Sequence, residues 1–239
     1  MKHNVLSTVI ALAGLAALTN AGAQVTNTIN PGDLVLGFEA TGGTGSSTNL
    51  IVDLGPESGF SSINLNLNAD LDTVYGTNWY SSGFVDYGLF SVDSSNTVYL
   101  TSTNTAFQRK VSGALATIIS DFGAVSSQYT GAYNTPGELL TTGVTEVSTN
   151  VGAWSYYNPS TQPFATYNRS IEAGVGTSLT LYSMTVAAHA TPASFGTSVG
   201  QINVASDGVI SAVPEPSSYA LFGFGALLLV IAYRRRHAA

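Results

Sequence analysis

The sequence has no cysteine, almost no histidine and very little charge. Without cysteine, disulfides, thiolate-held metals and cysteine nucleophiles are excluded together. Of the three histidines, His3 and His237 lie near the two ends and only His189 falls in the middle. A histidine-built metal site is therefore excluded, and any imidazole acid–base chemistry has one residue to run through. Charged residues make up 9% of the chain, against roughly 25% in ordinary soluble domains. The few charges are unevenly placed. Between Gln24 and Val213 the only basic residues are Arg109, Lys110 and Arg169, and the same span holds thirteen of the fourteen acids. Such a surface repels phosphate backbones, so nucleic acid is not an expected partner. No metal or cofactor is expected either.

Gly, Ser, Thr and Asn take the place of the missing charges, a mix that suits pleated surfaces and tight turns. The apolar share of 44% is enough for a core. Short apolar or alternating runs bounded by turn residues recur at 33–39, 49–54, 61–68, 83–92, 97–102, 153–158, 178–186, 200–205 and 209–213. The last two flank Ser206-Asp207-Gly208, and Asp-Gly tolerates the positive φ of a hairpin turn. The pattern predicts a mainly β fold, a β-sandwich or jelly-roll-like domain over residues 24–212. One segment departs from it. Phe107, Val111, Ala114, Leu115, Ile118, Ile119 and Phe122 recur at helical spacing, which predicts one amphipathic α-helix over about 105–122, ending at Gly123. The run Ala69–Tyr75 before Gly76 predicts a short helical turn.

Both ends read as addresses. Residues 1–23 have the layout of a secretory signal: Lys2, an apolar stretch from Val5 to Leu18, and a small-x-small cleavage site at Ala21 and Ala23. At the other end Pro214-Glu215-Pro216 precedes an apolar run, Tyr219 to Tyr233, and then Arg234, Arg235 and Arg236. Counted from Ser217, that run is about 26 Å of helix, just short of a bilayer's hydrocarbon thickness. It predicts a marginal transmembrane helix over about 217–233, with the arginines retained on the cytoplasmic side.

The order of these tail parts resembles the PEP-CTERM sorting signal, over about residues 213–239. The resemblance implies an exosortase, a membrane-embedded enzyme that cuts near the triplet and passes the protein to the cell surface of a Gram-negative bacterium. Pro214, Glu215 and Pro216 are then residues acted upon, and Arg234, Arg235 and Arg236 hold the tail in the inner membrane during transit. It also implies a setting of extracellular polysaccharide. The expected function is an exported surface or extracellular-matrix structural protein, associated with exopolysaccharide or biofilm and without enzymatic activity.

Two other classes compete. A carbohydrate-binding module would use the aromatic clusters, with Trp79, Tyr80, Trp154 and Tyr156 as candidate glycan-contact residues. A secreted hydrolase would use Ser198 in Gly196-Thr197-Ser198-Val199-Gly200. That pattern lacks the strand-before, helix-after setting of a nucleophile elbow, and His189 precedes the serine, so a turn is expected there. Asp70 and Asp72 follow a strand-like run with Ser62, Asn64, Asn66 and Asn68 on one face. Leu71 stands where an EF-hand loop would need glycine, so a solvated face is expected rather than a calcium loop.

Overall fold

The computed structural model describes residues 28–103, 120, 122–127, 129–130, 143–149, 153–157, 171–185 and 196–214. The signal segment, the apolar run from 217 and the arginine cluster lie outside these residues, as do Arg109, His189 and most of the expected 105–122 helix. Among the described residues no helix is long and apolar enough to cross a membrane.

The fold is mainly β. In chain order it runs β1 (Asp33–Ala40), β2 (Thr48–Pro56), a 3-10 turn (Glu57–Ser62), β3 (Asn64–Asn66), α1 (Asn68–Tyr75), β4 (Val85–Val92) and β5 (Thr97–Ser102). A helical stretch, α2, includes residues 120, 122–127 and 129–130. It is followed by β6 (Val144–Val147), α3 (Trp154–Tyr157), β7 (Ala173–Gly174), β8 (Leu179–Thr185), β9 (Thr197–Val204) and β10 (Val209–Pro214). The strands join in one antiparallel sheet, in the order β3-β10-β9-β8-β5-β4-β1-β2-β6, with β7 also paired to β4. The expectation of separate packed sheets is corrected to one continuous sheet that curls.

The curl is visible in one contact. β4 and β9 are separated in the sheet by β5 and β8. Yet the Tyr87 hydroxyl of β4 lies 3.1 Å from the Ile202 carbonyl oxygen of β9. The inner face so formed gathers Leu34, Leu36 and Phe38 of β1, Tyr87 and Leu89 of β4, and Ile202, Val204 and Ile210 of the last hairpin. α1 closes this face. Its Tyr75 hydroxyl accepts from the Leu50 amide at 3.1 Å and donates to the Phe38 carbonyl at 2.8 Å, so the buried phenol is satisfied on both sides. The outer face carries Val35, Ile51, Phe90, Val92, Val98 and Leu100, covered by Phe122, Val125 and Tyr129 of α2 and by Trp154 of α3. β1 and β2 are thus buried on both faces, which is why they read as nearly unbroken apolar runs.

Several local expectations are corrected. The run expected as a strand over 153–158 is not one where it is described; Trp154–Tyr157 is a helical turn, held at its start by the Asn49 side-chain oxygen, which accepts from the Ser155 amide at 2.9 Å and the Ser155 hydroxyl at 2.8 Å. The 61–68 run keeps its alternation, but only Asn64–Asn66 is strand, because β10 offers it just three partners, Val209 to Ser211. Gly123 does not end the helix: residues 122–127 are helical through it, and Val125 and Tyr129 continue the buried stripe from Phe122. The strands β6 and β7 carry too little alternation to stand out in the sequence.

Candidate functional site

The described part of the processing region is the hairpin β9–β10. Its turn forms as the Asp-Gly pair predicts. Gly208 has φ +76°, and a Cβ there would run into the Asn68 backbone. Ala205 N–H donates to the Val209 carbonyl at 2.9 Å, and Val209 N–H to the Asp207 carboxylate at 3.2 Å. β10 then runs between two neighbours. On one side Ala212, Val213 and Pro214 oppose Ile202, Gln201 and Gly200 of β9. On the other, Val209 to Ser211 pair with β3, and Ala212 N–H donates to the Ile63 carbonyl at 3.3 Å. Ile210 is buried in the inner core, whereas Val213 is 53% exposed. Pro214 is the last described residue of the strand and stands opposite Gly200. The first residue of the Pro-Glu-Pro triplet therefore still lies in the sheet, two positions past residue 212. Glu215 and Pro216 lie outside the described residues.

Among the described side chains, the candidate glycan residues do not form a platform. Trp79 is 2% exposed and Trp154 0%, so neither ring offers a face to a sugar, and both are corrected to core residues. Their surroundings explain this: Trp79 packs in the inner core and Trp154 against Phe90 in the outer one, ring centroids 5.6 Å apart. Tyr80 is different. It is 38% exposed and edge-on to Trp79, in the turn that precedes β4. Tyr156 lies in α3, and its side chain is outside what is described.

Ser198 sits within β9, opposite Tyr182 of β8, and not in a turn. Gly196 to Gly200 thus enters and runs along a strand, which leaves the serine without the sharp strand-to-helix bend of an elbow. Asp70 and Asp72 part company on α1. Asp70 is buried and accepts the Gly143 amide at 3.0 Å, while Asp72 accepts from the Asn68 side chain at 3.0 Å.

A group of acids that periodicity does not reveal lies elsewhere. Glu39 of β1 stands directly opposite Asp86 of β4, and Asp86 opposite Gly174 of β7. Glu172, two residues before Gly174, accepts a hydrogen bond from the Trp154 indole N–H. Burial, then the Glu39 charge, push the Glu172 carboxyl well above its ordinary range. Burial also raises Asp86. Only strand register brings these three together, and no single-chain pattern announces it. Among the described residues no group of three or more His, Asp or Glu is placed to hold a metal ion.

The fold and the hairpin define a β-rich domain whose closing strand runs directly into a C-terminal tail. That tail is a PEP-CTERM protein-sorting motif: the family model so described matches residues 212–236. The motif supports exosortase-dependent sorting, with an exosortase as processing partner and export through a membrane to the cell surface. No curated protein and no solved structure matches the chain.

Proposed function

We propose that this is a structural protein of the cell surface or extracellular matrix in a Gram-negative bacterium, associated with exopolysaccharide and without catalytic activity. The observation that carries the reading is the sorting motif at residues 212–236, entered directly from the last strand of the domain. Residues 1–23 act as a signal peptide, cut after Ala23. The tail from Ser217 holds the exported chain in the inner membrane, with Arg234 to Arg236 on the cytoplasmic side, until the sorting enzyme acts. What remains is a domain with a low-charge surface of hydroxyls and amides, suited to a hydrated glycan matrix. The placement of Ser198 inside a strand supports a non-catalytic role.

Mass spectrometry of the protein recovered from cells that carry an exosortase tests the processing. The expected product starts near Gln24 and ends near the triplet. A full-length chain, soluble in the cytosol and trimmed at neither end, overturns the reading. Co-sedimentation with the cell's own exopolysaccharide tests the association.

The exposure of Tyr80 favours one second reading, a carbohydrate-binding module. In that case Tyr80→Ala abolishes retention on polysaccharide. Retention unchanged by Tyr80→Ala leaves the structural role alone.

A further inference from the structure

We infer that Asp207-Gly208 is a site of spontaneous covalent modification, the rearrangement of aspartate to isoaspartate, which the closed β9–β10 hairpin holds in check and which proceeds when the hairpin opens.

The chain contains one Asp-Gly step and no Asn-Gly step. A side-chain carboxyl is open to attack by the backbone nitrogen of the next residue. Glycine, having no Cβ, leaves that nitrogen unhindered. The Gly208 nitrogen bonds to the carboxyl carbon of Asp207. Its hydrogen and one carboxyl oxygen, with that oxygen's own proton, leave as water, and a five-membered succinimide ring forms. Water then opens the ring at one of two carbon–nitrogen bonds. Breaking the bond to the side-chain carbon restores aspartate. Breaking the bond to the main-chain carbon routes the chain through the side-chain carbon, which is isoaspartate.

The fold opposes the first of these steps. Gly208 N–H donates to the Ala205 carbonyl at 3.0 Å, and the Gly208 carbonyl accepts from the Leu67 amide at 2.8 Å. Bringing the nitrogen onto the carboxyl carbon turns the Asp207–Gly208 peptide, which breaks the first bond and pulls on the second. The carboxylate itself is held elsewhere, accepting from Val209 N–H at 3.2 Å, one residue beyond the nitrogen it would react with. Gly208 is buried, and the Asn68 backbone occupies the place of a Cβ, so the glycine has no room to swing. Asp207 is exposed, so water reaches it. Geometry protects the site, not dryness.

The exclusion runs both ways. Isoaspartate puts one more carbon into the main chain between Ala205 and Val209. Ala205 N–H and the Val209 carbonyl, now 2.9 Å apart, then no longer meet, and neither does the register of Ile210 on Val204 behind them.

The test ages the purified full-length chain at neutral pH, one sample folded and one in urea. Electron-transfer mass spectrometry of its peptides, which separates isoaspartate from aspartate, follows residue 207. Isoaspartate is expected to accumulate there at least about tenfold more slowly in the folded chain, because the reaction then runs only through the minor open population. Equal rates overturn the inference, as does an unfolded chain whose isoaspartate forms chiefly at other aspartates. Ile210→Ala removes a fully buried side chain behind the turn and leaves Asp-Gly untouched. It is expected to speed both amide exchange in β10 and isoaspartate formation in the folded chain. Faster exchange without faster isoaspartate overturns the inference. Should this variant fail to fold or exchange no faster, the comparison on the unaltered chain decides alone. On removal of urea, chains carrying isoaspartate are expected to stay open to protease between β9 and β10. Chains that regain the protection of the unmodified hairpin overturn the mutual exclusion.

Discussion

Gly37 of β1 stands directly opposite Gly88 of β4, and the indole of Trp154 lies on the bare patch the pair leaves. A Cβ at Gly37 would fall inside the indole. One at Gly88 would lie 2.9 Å from both the Trp154 ring and the Ile171 carbonyl. The two glycines are thus the seat of the tryptophan that anchors α3. Gly37→Ala is expected to destabilise the domain by about 1–3 kcal/mol, the usual result of overpacking a filled core. Urea unfolding checks it. Because the clash is with one ring, Gly37→Ala combined with Trp154→Ala is expected to cost less than the sum of the two single changes.

The partner of that indole sets a pH dependence. Glu172 has its carboxyl raised above the ordinary range by burial and by the Glu39 charge, and Asp86 shifts the same way by burial. A raised carboxyl favours the protonated folded form. The stability it contributes is fully present below the unfolded-state value and is lost as pH rises through the folded-state one. The domain is therefore expected to melt at progressively lower temperature as pH is raised from about 4 through the shifted carboxyl range. Glu172→Gln is expected to flatten this slope and to leave a smaller one from Asp86. Thermal melts across pH for the two proteins decide it, and identical slopes would refute the assignment.

The curl of the sheet rests in part on Tyr87. Its hydroxyl lies within hydrogen-bond distance of the Thr177 and Ile202 carbonyls, far from it in sequence. Tyr87→Phe keeps the ring and leaves buried carbonyl oxygen without its donor, at an expected cost of about 1–3 kcal/mol. The same ring keeps its stacking on Phe38, so packing is not lost. Amide hydrogen exchange is expected to rise first in β9 and in the Thr177 turn.

The closing hairpin depends on Gly208. Alanine there meets a positive φ and the Asn68 backbone together. Gly208→Ala is expected to destabilise the domain by more than about 1 kcal/mol, beyond the entropy gained by losing glycine. Limited proteolysis is expected to show earlier cleavage between β9 and β10.

The elements legible in the sequence are those whose signal is local. β1 and β5 appear almost residue for residue, because their apolar runs are bounded by turn chemistry. The Asp207-Gly208 turn appears because few residues accept its φ. The tail is legible for the same reason: its triplet, apolar run and arginines are contiguous. Segments whose state depends on a distant partner were misread. Trp154 to Tyr157 carries aromatic β-formers, yet the Asn49 side chain and the glycine seat hold it as a helical turn. Trp79 and Trp154 stood only as candidate glycan contacts because composition does not say which way a ring faces. Glu39, Asp86 and Glu172 looked scattered because only the β1–β4–β7 register assembles them.

By itself the sequence determined that the chain is cysteine-free, acidic in its middle, mainly β, and equipped with a C-terminal sorting motif. Composition and contiguous patterns act without reference to partners far along the chain. Only the tertiary structure decided that the strands join in one curled sheet, which aromatics are core, and that the first residue of the triplet lies within the sheet. Each of those depends on cross-strand register, which hydrogen bonding and side-chain packing settle only once the whole sheet has closed.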